Sequence, residues 1–338
     1  MAQITNDKVL QNQIDAGTVG RQKGHQFEKI LSDKINNYDF KSEEIDAAKK
    51  EIENNKHLFK GKPHVFVVAY VAKKLNLSFS SVKCWWTGGL ATSGNGDILL
   101  DDNGNRVTHC KADIILDFET PNGLKRVGIS VKSCNKKTPT NDQMFFSTAR
   151  AFCRLLTDNG IALSEEAIKG MQMFCGDEGY RPMDIMNQSQ LDTRISDPRR
   201  YFWEELSSTA KQEWKNIFDT WQDKITDLLF RKAYKNDPFV PEFLLHQTVK
   251  YDDFNKCEVA LFTMEEIVKE SREYCGYVLV PYVIRKGTYK NDNNTHYAPR
   301  FGFIQFQRGG QKQHPTQLQF NLKSGYFYHL GEKFSLDD

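Results

Sequence analysis

Lys111-Ala-Asp-Ile-Ile-Leu-Asp-Phe118, then Thr120-Pro-Asn-Gly123, then Arg126-Val-Gly-Ile-Ser-Val-Lys-Ser133 is the stretch on which the fold turns. Two apolar, β-branched runs flank a Pro-Asn-Gly turn, which is the pattern of a β-hairpin. Strand alternation places Ser130 and Lys132 on one face of the second strand, with Asp113 on the neighbouring strand. Lys132 closes the otherwise apolar run Val127–Val131, a setting that favours a lysine held at a site over a casual surface one. A carboxylate meeting a lysine at a hairpin end can hold a divalent metal beside an attacking water, which is the chemistry of phosphodiester cleavage. An ordinary Asp–Lys pair across a surface hairpin is the competing reading.

Working outward, the upstream residues 22–36 carry Phe27, Ile30, Leu31 and Ile35 at helical spacing, with Glu28 on another face of the same helix. A charged helix is expected over 41–55 and an apolar one over 63–76, opened by Pro63. Residues 1–20 are polar. Trp85-Trp86-Thr-Gly-Gly, continuing to Gly94-Asn-Gly-Asp97, reads as loop or irregular strand. Downstream, 141–157 reads as a helix, and 161–275 as mainly helical. There Trp214, Ile217, Phe218, Trp221, Ile225 and Leu228 make an amphipathic core stripe. From 276 onward, runs at 277–284, 300–306 and 317–322 alternate with period two, as strands do. The expected division is a core with the N-terminal helices and the hairpin over 1–160, a helical region over 161–275 and a β-rich region over 276–338.

The net charge of +2 does not mark a nucleic-acid binder, but its distribution is informative. Residues 121–156 carry Lys125, Arg126, Lys132, Lys136, Lys137, Arg150 and Arg154 against the single acid Asp142, where a polyanion would be held. Seven cysteines, an odd number without CxxC pairs, argue against a zinc site and more strongly against a disulfide framework, and point to a reducing, cytoplasmic setting. No signal-peptide core follows Met1, and no apolar run is long enough to span a bilayer. With no Gly-x-x-x-x-Gly-Lys-Ser/Thr loop, ATP-driven action is not supported.

With these residues in view, the chain resembles the PD-(D/E)xK nuclease superfamily, and within it the type II restriction endonucleases. The resemblance rests on Asp113, on Gly128-Ile-Ser-Val-Lys132 and on Gly24-His-Gln-Phe-Glu28, and covers about a third of the chain. The wording of the second strand looks most like the HaeIII-type enzymes. The resemblance implies an α/β (α+β) core with a mixed central sheet flanked by helices, carrying a helical insertion and a β-rich C-terminal region. It implies magnesium-dependent hydrolysis of double-stranded DNA, a homodimer on a palindromic site, and a companion DNA methyltransferase that protects the host.

One departure stands out: Ser130 occupies the place of the family's usual acid before x-Lys. A replacement carboxylate is then required, Glu28 first and Asp142 second, although Asp142 also suits a helix N-terminus. Asp97 and Asp117 are weaker alternatives, and His109 reads as structural. In this reading Asp113, Glu28 and Asp142 are the candidate Mg2+ ligands, and Asp113, Lys132, Glu28 and Ser130 the catalytic set. A Ser130/Lys132 acyl-transfer pair lacks a recognisable oxyanion frame. Lys136 and Lys137 are expected at the scissile backbone. Arg285, Arg308, Gln311, Lys312 and Gln313 are expected to contact DNA, since Arg suits guanine and Gln adenine. A repair nuclease without sequence preference, or a DNA-binding protein with an inactive nuclease fold, are the alternatives.

Overall fold

The computed structural model describes residues 26–55, 57–90, 98–133, 142–194, 197–231, 237–249, 254–282, 295–308 and 318–322. In chain order these form α1 (26–36), α2 (Ser42–Asn54), β1 (Leu58–Lys60), α3 (Pro63–Lys74), β2 (Ser81–Trp86), β3 (Ile114–Thr120) and β4 (Gly123–Ser133). Then follow β5 (Asp142–Ser147), α4 (Ala149–Asp158), α5 (Glu165–Cys175), α6 (Pro182–Ile185), α7 (Gln188–Thr193), α8 (Ser208–Thr220) and α9 (Gln222–Arg231). The chain continues through β6 (Phe243–Val249), β7 (Glu258–Thr263), α10 (Met264–Tyr274), β8 (Tyr277–Tyr282), β9 (His296–Phe301), β10 (Ile304–Arg308) and β11 (Leu318–Leu322). The described residues divide into two compact units, one drawn from Met1–Asp142 and Phe230–Ile267, the other from Gln143–Leu229 and Val268–Lys323.

The first unit is built on a six-stranded sheet ordered β1-β7-β6-β4-β3-β2. It is mixed: β4 and β6 run parallel, and the other described pairs are antiparallel. The mixed, helix-flanked sheet expected from the sequence is therefore present. Ile114, Leu116, Phe118, Val127, Ile129 and Val131 alternate onto one face and join Phe27, Leu31 and Ile35 of α1 and the apolar residues of α3 in one core. Every residue of α3 from Pro63 to Ala72 is buried, as its all-round apolar sequence requires. On the opposite face Ile115 packs with Leu90, Leu99, Val107 and Ala112.

The hairpin closes through Pro121 and Asn122, with Thr120 paired to Gly123. Gly123 has φ +102°, a conformation open to glycine and strained for other residues. β2 is a regular strand, paired with β3 from Ser81↔Glu119 to Trp86↔Ile114, and it includes Trp85 and Trp86, the start of the stretch expected as loop or irregular strand. Its mixed sequence, Ser-Val-Lys-Cys-Trp-Trp, hides the strand because it lies at the sheet edge.

The second unit holds a five-stranded sheet, β5-β11-β10-β9-β8. Its core is aromatic: Phe152, Trp214 and Phe218 from the helices meet Phe301, Phe306 and Phe320 from the strands. Three expectations need correction. Residues 141–157 are not one helix but β5 followed by α4, whose start is fixed by Thr148 accepting a hydrogen bond from Ala151 N at 3.1 Å. Trp221 leaves the core stripe because α8 ends at Thr220, and its ring is 39% exposed. The run 300–306 is not one strand: it reverses at Gly302, φ +52°, between β9 and β10.

Candidate functional site

The site grows from the open end of the β3–β4 hairpin. The ladder's last pair is Ile114↔Ile129, and Asp113 N then donates to Ile129 O at 2.9 Å. Beyond that point the carboxylate replaces the backbone. Asp113 Oδ2 accepts Val131 N–H at 2.7 Å and the Ser130 hydroxyl at 3.1 Å. The preceding residue turns aside, with Ala112 N donating to Phe239 O and Ala112 O accepting from Thr87 Oγ1. On its other flank, Asp113 O accepts from Thr87 N at 3.3 Å and Thr87 Oγ1 at 3.0 Å. Asp113 is thus fixed from β4 on one side and from the end of β2 on the other.

Ser130 is fully buried, and Lys132 follows two residues later on the same side of β4, half-buried. Ile129 and Val131, which alternate with them, enter the core shared with α1 and α3. The sequence expectation that Asp113, Ser130 and Lys132 converge at the hairpin end matches this geometry for Asp113 and Ser130 by direct contact. For Lys132 it matches by strand face.

Glu28 comes from α1. Glu28, Ser32 and Asn36 recur every four residues and lie along the outer edge of β2. Ser32 Oγ and Asn36 Nδ2 donate to Cys84 O at 3.0 and 2.8 Å, and Cys84 N donates to Asn36 Oδ1 at 2.7 Å. The edge strand's polar backbone is thereby covered. Glu28, 9% exposed, accepts the Trp86 indole N–H at 3.3 Å. Consecutive residues therefore bind the two carboxylates' neighbourhoods: Trp86 holds Glu28, and Thr87 holds Asp113.

Asp117 shares Asp113's face but is engaged elsewhere. It takes a bidentate pair from Arg126 (Nε 2.7 Å, Nη2 2.8 Å) and the Trp85 indole N–H at 2.8 Å. Arg126 also donates to Leu100 O at 2.6 Å and stacks over Phe239 at 5.1 Å. The Asp117 hydrogen bond raises the Arg126 pKa. Arg126 thus belongs to a structural clamp and adds little to the positive excess read from the sequence.

Asp142 opens β5 of the second sheet, so it does not stand at a helix N-terminus as expected. His109 bonds only its neighbour Thr108 in the described contacts. Lys136, Lys137, Arg285, Gln311, Lys312, Gln313 and Asp97 lie outside the described residues. Arg308 ends β10 opposite Leu318 by backbone register, its side chain lying outside the description.

Two residues escaped sequence reading. Thr87 secures Asp113 from a glycine-rich stretch read as loop. His246 of β6 is the parallel neighbour of Lys132, fully buried. Its only signal was the short apolar run Phe243-Leu-Leu before it, in a region read as mainly helical.

No protein-family model matches the chain, and no curated protein matches it. Among solved structures it is similar to the restriction endonuclease MspI in complex with its cognate DNA. That likeness has a TM-score of 0.49 and 14% sequence identity, over 91% of this chain and 92% of that one. No helix among the described residues is long and apolar enough to cross a membrane.

Proposed function

We propose that the chain is a magnesium-dependent nuclease of double-stranded DNA, acting as a type II restriction endonuclease. The carrying observation is Asp113, its carboxylate clasped by Ser130 Oγ and Val131 N–H, with Lys132 two residues along the same strand. Asp113, Glu28 and Ser130 offer only oxygen donors, which suit a hard cation. No group of three or more His, Cys, Asp or Glu side chains gathers to hold a metal among the described residues. Two carboxylates and a hydroxyl would suit Mg2+, which keeps several waters and shares substrate phosphate.

In the proposed reaction, water attacks phosphorus, the bond to O3′ breaks, and O3′ takes up a proton, leaving a 5′-phosphate and a 3′-hydroxyl. Bound Mg2+ supplies Lewis-acid polarisation of the phosphoryl oxygen and lowers the pKa of water. Asp113 and Glu28 are assigned as its carboxylate ligands, with Asp142 the reserve proposed from sequence. Ser130 orients Asp113. The Lys132 ammonium offsets charge building on the phosphate and orients the water. Lys136 and Lys137 are assigned to the scissile backbone, and Arg285, Arg308, Gln311, Lys312 and Gln313 to DNA contacts. A homodimer on a palindrome, a companion methyltransferase and the HaeIII-type likeness of Gly128–Lys132 belong to the same proposal. Ser130 in place of an acid favours one rival, a DNA-binding protein without catalysis.

The test is incubation of unmethylated phage DNA with the full chain and magnesium, with calcium as the inert control. Discrete bands that vanish in Lys132→Ala support the proposal. A smear supports a nuclease without sequence preference. Intact DNA that still shifts in a native gel supports the inactive binder.

A further inference from the structure

Arg300 lies in β9, level with Val278 of β8 and Gln305 of β10. Its guanidinium stands 5.7 Å over the ring of Tyr274. Six other arginines of this unit, Arg154, Arg181, Arg194, Arg199, Arg200 and Arg272, each pair with a carboxylate. Arg300 forms no such pair among the described residues, and its Nε is buried there without a hydrogen-bond acceptor. Burying part of a cation unpaired is unfavourable, so folding alone does not account for this arrangement. It becomes favourable when an acceptor arrives.

The chemistry of that acceptor follows from the neighbours. The tyrosine ring holds the planar fork in place, so little freedom is lost on binding. Half-exposed Gln305, on the next strand, offers both a donor and an acceptor. Arginine matches guanine O6 and N7, and glutamine matches adenine N6 and N7. β9 and β10 are neighbouring inner strands of the five-stranded sheet, and the tight reversal at Gly302 between them sets Arg300 level with Gln305. We infer that Arg300 and Gln305 read base edges of duplex DNA, Arg300 taking a guanine, and so set the sequence preference of the nuclease. This inference rests on the nuclease reading above.

The experiment uses binding, so that catalysis does not enter. The full chain bearing Lys132→Ala, in calcium, selects duplexes from a randomised pool, and affinities are then measured across a salt series. The expected selected sequence holds a guanine whose enrichment disappears on adding Arg300→Ala. Affinity for the selected duplex should fall about 5- to 100-fold, with unrelated duplex changing less than about twofold and an unaltered salt slope. Arg300→Lys keeps the charge but not the fork and should lose the same preference; it decides the matter if Arg300→Ala does not fold. An unchanged selected sequence overturns the inference while leaving the nuclease reading intact. Uniform weakening on all duplexes, with a salt slope lowered by about one, marks a phosphate contact and also overturns it. If the parent chain binds no duplex, both readings fall.

Discussion

Asp113 and Asp117 stand four residues apart on one sheet face; the proposed function makes Asp113 a metal ligand, whereas Asp117 is tied to Arg126 and Trp85, and substitution can separate the two duties. Asp117→Ala removes two charge-assisted hydrogen bonds from Arg126 and one from Trp85. The Asp117 side chain is 8% exposed and that of Arg126 23%. Breaking a buried pair by deleting one partner costs about 3–5 kcal/mol, and the partial exposure of Arg126 brings the expectation to about 2–3 kcal/mol. Asp113→Asn keeps an amide oxygen for Val131 N–H and Ser130 Oγ, so it should cost only about 0.5–1.5 kcal/mol. Its effect falls on chemistry, with cleavage reduced at least ~100-fold through loss of a charged ligand. Urea melts followed by tryptophan fluorescence should move by about 1 M for Asp117→Ala and much less for Asp113→Asn. Cleavage, assayed where both variants are folded, should survive in Asp117→Ala and vanish in Asp113→Asn. The reverse ranking in both assays would refute the division of duties.

Trp86→Phe deletes the indole N–H that holds Glu28; the melt should move little while magnesium-dependent cleavage weakens, and a purely structural Glu28 would give unchanged cleavage. Gly128→Val points a side chain at Ala112 Cβ and Val240 O, both 3.1 Å from a Cβ, so stability should drop by about 1–3 kcal/mol, read as a lower urea midpoint. Burial among Tyr38 and Phe254, aided by Lys34, pulls the His64 pKa down to about 4. The unfolded chain therefore takes up this proton first as pH falls below ~6.5. The stability contributed by neutral His64 is complete above that pH and lost progressively towards about 4. Between pH 7 and 5 this amounts to about 2 kcal/mol, and His64→Leu should flatten that part of the stability–pH curve.

How much the sequence revealed depended on range. The β3–β4 hairpin was legible because a two-residue turn fixes its register. Counting outward from Thr120–Gly123 brings Asp117 to Arg126 and Asp113 level with Ser130. The first of those pairings was available by counting, yet Asp117 was weighed only as a ligand. The helix that carries Glu28 was legible because it repeats at 27, 31 and 35. β6 and β7 were not, since short apolar runs such as Phe243-Leu-Leu and Val259-Ala-Leu-Phe fit helix and strand alike. Their pairing is decided by partners far away in the chain. Trp221 kept helical spacing across the break between α8 and α9, and periodicity alone does not register a cap.

The parallel pairing of β4 with β6 has a bearing on synthesis. When Ser133 leaves the ribosome, Asp113 and Ser130 can already meet within their local hairpin, but the far side of β4 has no partner until Phe243 follows. At ordinary elongation rates that interval is roughly 5–20 s. Throughout it the nascent chain presents an open apolar edge, the kind that recruits chaperones or a stray strand from another polypeptide. Lys132 gains its neighbour His246 only when the sheet is closed. Completion of the sheet around β4 is thereby deferred until β6 has been made.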